Sequence, residues 1–295
     1  MKIQSLSVVV PNKKCINHCK FCVSNMHIGK FENCMDENNP NFAYGVQEYI
    51  KRLEFARHNG CNTVMLTGQS EPQQNRKFLA YFGMMSKMMH DPFQWVEMQT
   101  TGVLLNDNYL EFLRTHVGVN LISLSISSFD DAINYRIQGT PENQIVNLEK
   151  LINKIKQYGF SLRLSINLTC HFDRFKDNAA ELFNICRDFG ADQVTLRVLY
   201  NDGSDSPQAK WVRENAACEE TVKALNDYVK NNGTPLGRLP FGAIRYSVDG
   251  MSTVLYADCM AKDTMKYSDE SYKYLILQPN GKLYSQWDDL GSLIF

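Results

Sequence analysis

Short apolar runs rich in β-branched residues alternate with longer segments of helical periodicity between residues 5 and 231 of this 295-residue chain. This alternation is typical of a parallel sheet whose strands are connected by helices. The predicted strands are Ser5–Val10, Thr63–Thr67, Trp95–Thr100, Leu121–Ile126, Ser161–Leu168 and Gln193–Leu199. The predicted helices are Tyr44–His58, Asn75–His90, Asp107–Thr115, Pro141–Tyr158, Asp177–Phe189 and Glu214–Asn231. Six strand–helix units predict the α/β fold class, as a partial (β/α)6-type TIM barrel with its active site just after the strands.

The fourth predicted helix carries an apolar stripe with lysines on its other side. Residues that are three or four positions apart lie on the same face of a helix, so we expect this stripe to pack in the core. Its members are Ile145, Leu148, Leu151, Ile152 and Ile155.

The pattern changes after residue 240, where only strands are predicted. These strands are Ala243–Val248, Thr253–Tyr256, Lys273–Gln278 and Lys282–Gln286, and Pro279-Asn280-Gly281 is a strong turn signal between the last two. We therefore predict two domains: a barrel over residues 1–240 and a C-terminal β-rich extension over residues 241–295 that closes the barrel.

Composition narrows the classes of partner. The formal net charge is -1, from 31 basic and 32 acidic residues without long runs of either sign. Nucleic acid binding needs a basic face and is therefore not expected, so a small molecule or a peptide is the favoured substrate. No apolar run approaches the length of a membrane span, and the N-terminus lacks a signal peptide, so we expect a cytoplasmic protein.

The chain has nine cysteines, and an odd number without a secretion signal favours reduced thiols. Six of them are scattered, and we expect them to be ordinary small buried residues. These six are Cys34, Cys61, Cys170, Cys186, Cys218 and Cys259.

The other three, Cys15, Cys19 and Cys22, follow the first predicted strand in a Cys-x3-Cys-x2-Cys pattern. Three thiolates this close in sequence can bind one [4Fe–4S] cube, which leaves one of its four irons open. The alternative is a zinc site, with a fourth ligand from His18, His27 or Cys34, in a binding protein without catalysis.

The spacing, with Phe21 before the last cysteine, resembles the signature of the radical S-adenosylmethionine superfamily. The resemblance implies that S-adenosylmethionine chelates the open iron and is reductively cleaved to a 5′-deoxyadenosyl radical, which abstracts hydrogen from a substrate. It also implies an external electron donor such as flavodoxin or ferredoxin. The two distal cysteines, Cys218 and Cys259, are too few for a second cluster, so we expect one [4Fe–4S] cluster.

Four further segments resemble parts of the superfamily's cofactor site, at or just after successive strands. The Gly-Gln-Ser-Glu-Pro segment after the second strand departs from the usual Gly-Gly-Glu-Pro turn. Serines alternate on the fourth strand, and inward-facing serines in a barrel need polar partners. The resemblance assigns to S-adenosylmethionine the residues Phe21, Gly68, Gln69, Ser70, Glu71, Thr100, Ser125, Ser127, Asn167, Arg197 and Leu199. Among them, Arg197 can pair with a carboxylate.

The substrate is predicted from weaker features. Trp287, Asp288 and Asp289 place two acids beside an aromatic ring, and carboxylates accept hydrogen bonds from a guanine-like edge. A modified nucleobase is therefore one candidate, for a lyase of the type that cleaves queuine, with Tyr200 near the expected site. A triphosphate would need clustered lysines or arginines, of which the strand ends show few. A peptide- or protein-modifying radical enzyme stays as the alternative.

Overall fold

The computed structural model describes residues 2–26, 31, 35, 45–238, 244–256, 266–268 and 271–295, with only the backbone for Tyr256 and residues 266–268. Twelve strands form one sheet. They are β1 Lys2–Val9, β2 Thr63–Thr67, β3 Trp95–Thr100, β4 Leu121–Ile126, β5 Ser161–Leu168, β6 Gln193–Val198, β7 Thr234–Arg238, β8 Ile244–Val248, β9 Met251–Tyr256, β10 Lys266–Ser268, β11 Ser271–Leu277 and β12 Leu283–Tyr284.

Strands β1 to β6 lie side by side in chain order and are parallel, which confirms the predicted α/β fold. The last part of the chain extends both edges of this sheet. At one edge β9 pairs in parallel with β6, and β8 and β7 follow in antiparallel order. At the other edge β11 pairs in parallel with β1. Along the described strands the hydrogen-bonded path runs from β10 to β7 without closing, and the division into two domains at residue 240 stays a prediction.

The helices lie mainly between consecutive parallel strands. The α-helices are α1 Val23–Met26, α2 Val46–His58, α3 Arg76–Met88, α4 Asp107–Phe112, α5 Asp131–Ile137, α6 Leu148–Gln157, α7 Ala179–Asp188, α8 Pro207–Asn215 and α9 Glu219–Asn232. Short 3-10 turns cover Pro72–Gln74, Glu142–Gln144, Cys170–Phe175 and Leu290–Ser292, and a π-turn covers Leu113–Val117. Within the described residues, no helix combines the length and apolar character that a membrane span requires.

The two faces of the sheet differ in polarity because side chains alternate along each strand. On β6, for example, Val194 and Leu196 are fully buried in the main core, whereas Thr195 and Arg197 line a cavity on the inner face. Barrel interiors are usually packed with branched apolar residues. Here the inner face is predominantly polar, and the apolar core lies between the sheet and the helices.

Two predicted helices need correction. The helix predicted from Pro141 begins only at Leu148, where the Asn147 side chain accepts a hydrogen bond from the Lys150 amide at 2.9 Å. Ile145 therefore precedes the helix and is 43 % exposed, whereas the other four members of its stripe are buried. The helix predicted over 214–231 begins only at Glu219, because the Ala217 amide donates to the Leu168 carbonyl at 3.0 Å and interrupts the helical bonding. Its first two residues belong to α8, a helix that was not predicted.

The strand ends also differ slightly from the predictions. Strand β6 ends at Val198, so Leu199 lies beyond it, and the predicted strand over 282–286 is only the two-residue β12. Helix α5 and strand β7 were not predicted. Helix α5 is short, and it begins where the Asp130 side chain accepts a hydrogen bond from the Ile133 amide at 2.8 Å.

The scattered cysteines are only partly as expected. Cys61 and Cys186 are buried, and burial raises the pKa of each thiol to about 12. Cys170 and Cys218 are half-buried. Cys34 and Cys259 lie outside the described residues.

Candidate functional site

The loop with the three cysteines leaves the C-terminal end of β1 and is held by two neighbouring turns. The Ile16 amide donates to the Gln74 side chain at 2.8 Å, which ties the loop to the turn after β2. The Lys20 amide donates to the Ile137 carbonyl at 3.0 Å, which ties it to the end of α5. The cysteines therefore lie at the C-terminal ends of the parallel strands, where sites form in barrels of this kind.

A glycine allows the close approach of this loop to the end of α5. Gly139 has φ +58°, and a Cβ atom there would lie 2.4 Å from the His18 carbonyl oxygen. Both the positive φ and the contact exclude a larger residue without rearrangement.

The three thiols are close enough to influence one another electrostatically. Burial raises the pKa of Cys19 well above its usual range, and negative charge on Cys22, Cys15 and Glu71 raises it further. Burial likewise raises the pKa of Cys15 to about 11. A raised pKa favours the protonated thiol, but a coordinated metal cation favours the thiolate and holds it in that form. The donor set therefore fits an iron–sulfur cluster.

The zinc alternative needs a fourth ligand from His18, His27 or Cys34. His27 and Cys34 lie outside the described residues, and His18 is exposed. Within the described part of the chain, no three His, Cys, Asp or Glu side chains form a group that could hold a single metal ion.

Glu71 lies between the cysteine loop and the turn after β3. Its Oε2 accepts hydrogen bonds from the Thr101 amide at 3.0 Å and the Thr101 hydroxyl at 2.8 Å. Asn17 in the cysteine loop donates to the same hydroxyl at 2.8 Å. Burial raises the pKa of Glu71. This network joins three of the predicted segments and braces the cysteine loop.

The turn that leads to Glu71 is tightly packed, and two of its buried polar atoms lack a hydrogen-bond partner among the described residues. A Cβ atom on Gly68 would lie 3.0 Å from the Val10 carbonyl oxygen, so glycine suits this position. Gly68 and Gln69 line the inner cavity. Within the described part of the chain, the buried Ser70 Oγ and Glu71 Oε1 have no hydrogen-bond partner, and buried polar atoms normally have one. Atoms of this kind fit a polar cofactor beside the cysteines.

The predicted polar residues of β4, β5 and β6 come together on the inner face. Asn167 donates to the hydroxyl of Ser125 at 2.9 Å and to that of Ser127 at 3.4 Å. Arg197 donates through Nε to the hydroxyl of Ser165 at 2.6 Å. Thr100 accepts a hydrogen bond from the Gly102 amide at 2.8 Å, which stabilises the turn after β3.

The inner face encloses a cavity of about 550 Å³. It extends from Gly68 and Gln69, at the C-terminal ends of the strands, to Thr63 and Gln193 at the N-terminal ends. Among the predicted site residues, those lining it are Gly68, Gln69, Arg197 and Asp288. Two other predicted residues contact the protein instead. Phe21 packs against Trp211 with ring centroids 6.1 Å apart. Asp289 accepts a hydrogen bond from the Gly291 amide at 2.8 Å. Leu199 and Tyr200 follow β6 and are half-buried.

The sequence did not predict an ion pair in the deep part of this cavity. Glu97 on β3 is 1 % exposed, and its Oε2 accepts a hydrogen bond from Arg163 on β5 at 2.6 Å. Arg163 also donates to the Gln193 side chain through Nη2 at 2.6 Å. Ser123 lies between the two charged residues on β4, and its small side chain lets the arginine reach across. The alternation of inward positions could have suggested the pair, but its partners are far apart in sequence.

The cavity contains three arginines, although the sequence indicated few cations at the strand ends. Arg163, Arg197 and Arg245 come from three different strands and all line the cavity. Two carboxylates line it as well, Glu97 and Asp288. The cavity therefore contains charges of both signs.

Comparison with known structures shows the same architecture. The crystal structure of Streptococcus suis SuiB matches with a TM-score of 0.59 and 14% sequence identity, over 98% of this chain and 61% of that one. Native anSMEcpe with bound AdoMet matches with a TM-score of 0.57 and 12% identity, over 96% of this chain and 74% of that one. Coproporphyrinogen III oxidase (HemN) from Escherichia coli, described as a radical SAM enzyme, matches with a TM-score of 0.51 and 13% identity, over 79% of this chain and 54% of that one.

The present chain therefore spans about three fifths of the SuiB chain that it resembles. No curated protein matches it in sequence. The model of the Radical SAM superfamily matches residues 9–185, more than half of the chain, and this match includes the cysteine loop and strands β2 to β5. The chain belongs to the radical S-adenosylmethionine superfamily, whose members are enzymes that use a [4Fe–4S] cluster and S-adenosylmethionine.

Proposed function

We propose that Cys15, Cys19 and Cys22 hold the [4Fe–4S] cluster and that the open iron faces the polar cavity. The observation that carries this proposal is the position of the three mutually interacting thiols, in a loop braced by Glu71 at the C-terminal ends of the strands. A cluster held there lies beside the unpartnered Ser70 and Glu71 oxygens. When bound, the cluster and S-adenosylmethionine supply the 5′-deoxyadenosyl radical that abstracts hydrogen from the substrate.

The predicted cofactor-binding residues are assigned to parts of S-adenosylmethionine as follows. The turn at Gly68 to Glu71, with Thr100, binds the amino acid part, and Arg197 pairs with its carboxylate. Ser125, Ser127 and Asn167, which are already hydrogen-bonded to one another, bind the ribose. Phe21 and Leu199 complete the apolar contacts. These assignments rest on the family resemblance together with the shared inner face of β4, β5 and β6.

The substrate in this proposal is a small heterocycle, with a lyase acting on a queuine-type nucleobase as the specific candidate. Trp287 and Asp288 line the cavity, so an aromatic ring and a carboxylate border the space in which a planar base with N–H donors would bind. Tyr200, which follows the C-terminal end of β6, is a further candidate for contact with the substrate. Asp289 is already used as a turn cap and is not needed for this interaction.

A peptide or protein substrate is the second candidate. A structure of native anSMEcpe with AdoMet and the Kp18Cys peptide matches this fold with a TM-score of 0.56 at 10% identity, over 97% of this chain and 75% of that one. The two candidates differ in whether free bases or peptides increase the yield of 5′-deoxyadenosine.

We further propose a cytoplasmic location, where thiols stay reduced, and flavodoxin or ferredoxin as the electron donor.

The experiment is anaerobic reconstitution with iron and sulfide, followed by S-adenosylmethionine and a strong reductant. We expect the wild-type protein to form 5′-deoxyadenosine, measured by mass spectrometry, and Cys19→Ala to form none because it lacks a cluster ligand. Cys170→Ser is the matched control, since it removes a half-buried thiol outside the motif. Product from Cys19→Ala at the wild-type level would overturn the ligand assignment.

A further inference from the structure

Arg245 differs from the other two arginines of the cavity in its contacts. Arg163 is paired with Glu97 at 2.6 Å, and Arg197 donates to Ser165 at 2.6 Å. Arg245 lies on β8 and is exposed at the rim of the cavity. Within the described part of the chain, its guanidinium has no hydrogen-bond or ion-pair partner. It therefore presents its donors to the cavity.

The neighbours of Arg245 fix the direction of its side chain. Tyr246 and Val248 face α9, since a Cβ atom on Gly233 would lie 2.9 Å from Tyr246 and 3.1 Å from Val248. Alternation therefore directs Arg245 to the opposite, inner face of the sheet. On the adjacent strand β9, Ser252 and Val254 line the same cavity.

The charges around the cavity are arranged unevenly. The Glu97 carboxylate is used by Arg163 in the deep part. Asp288 lies with Trp287 beside β11, at the other edge of the sheet from β8. Lys273 also borders the cavity, on the β11 side with Trp287 and Asp288. Among the described residues that line the cavity, no carboxylate lies on the β8 side, so this side carries the positive charge of Arg245.

We propose that the substrate carries an acidic group, a carboxylate or a phosphate, that binds Arg245 while the rest of the molecule extends toward Trp287. The planar guanidinium offers two parallel N–H groups that match either anion. Trp287 packs near Tyr274, with ring centroids 6.4 Å apart, and this aromatic pair suits a planar ring. This inference rests on the proposed function and narrows its substrate to a heterocycle with an acidic arm.

The test uses the cluster-loaded protein with S-adenosylmethionine and two simple anions as probes, inorganic phosphate and acetate. We expect at least one of them to bind in a saturable one-to-one manner in equilibrium dialysis. The anion that binds more tightly distinguishes a phosphate arm from a carboxylate arm. Arg245→Gln should weaken its binding about tenfold or more, equivalent to the loss of one charged contact. Arg213→Gln is the control, since Arg213 is an exposed arginine on α8 that contacts the Ser204 carbonyl at 2.9 Å.

Two results would overturn the proposal: no saturable binding of either anion, or binding that is equal in the wild type and Arg245→Gln. The formation of 5′-deoxyadenosine without added substrate is measured in parallel on the same samples. Arg245→Gln should retain this uncoupled cleavage, because Arg245 is not assigned to the cluster or to S-adenosylmethionine. An absence of cleavage in the wild type would count against the proposed function and would leave the anion measurement as a separate result.

Discussion

Individual residues decide the chemistry of the inner cavity. Glu97 and Arg163 are brought together across β4, and each would leave an uncompensated charge if the other were removed. Removing one member of a buried ion pair is more costly than removing both. The Glu97–Arg163 pair therefore contributes to the stability of the deep part of the barrel as long as both partners are present.

Arg163→Met should lower the free energy of unfolding by about 3 kcal/mol, the lower end for buried pairs, because the Arg163 side chain is partly exposed to the cavity. The Glu97→Gln/Arg163→Met double variant should be more stable than Arg163→Met, since it contains no unpaired charge. Urea-induced unfolding measures both. A double variant that is no more stable than Arg163→Met would contradict this account of the pair.

At this scale the sequence predicts some of the site and misses the rest for a physical reason. The cysteines lie within eight residues, so their spacing alone indicates a common ligand. Arg163 and Glu97 belong to strands that are not adjacent in the sheet, and Arg245 belongs to a segment whose strand order is not evident from the sequence. These side chains come together only through the register of the strands and the curvature of the sheet, which local sequence patterns do not encode.

At the level of elements, the cysteine loop depends on its neighbours for its position. It is tied to the turn after β2 through Gln74 and to the end of α5 through the Ile137 carbonyl. Helix α5 is only seven residues long and was missed by periodicity, which is weak in so short a segment. Gly139 is the point of closest approach between α5 and the loop.

Gly139→Ala should therefore displace the loop and reduce iron incorporation. Alanine at a positive φ costs about 1–2 kcal/mol by itself. Gly118→Ala tests that cost alone, since Gly118 has φ +84° and a Cβ atom there would meet nothing within 4 Å. We expect Gly139→Ala to bind less iron and to unfold more readily than Gly118→Ala. Equal iron content in the two variants would contradict the importance of the His18 contact.

At the scale of the whole molecule, the C-terminal strands join both edges of the parallel sheet and bring Arg245 and Trp287 to one cavity. The predicted fold class is confirmed, and its first six strands were located to within a few residues. The pairing of β11 with β1 was not predicted, because it joins residues about 270 positions apart. Such distant pairing leaves no trace in local periodicity.

Because the proposed cofactor site draws its residues from several strands, S-adenosylmethionine binding should stabilise the whole sheet. At a hundredfold excess over its dissociation constant, S-adenosylmethionine should increase the free energy of unfolding of the cluster-loaded wild type by about 2.7 kcal/mol. Cys19→Ala should show a much smaller increase, because it lacks the cluster to which the ligand binds. Thermal unfolding of both proteins with and without S-adenosylmethionine measures the difference, and equal increases would contradict binding at the cluster.

The most direct test of the central claim is the electron paramagnetic resonance spectrum of the reduced cluster before and after S-adenosylmethionine is added. Three cysteine ligands leave one iron open, so the ligand should bind that iron and change the spectrum. Arg245→Gln should show the same change as the wild type. A cluster whose spectrum is unaffected by saturating S-adenosylmethionine would contradict the assignment of Cys15, Cys19 and Cys22 as the only protein ligands of a cofactor-binding cluster.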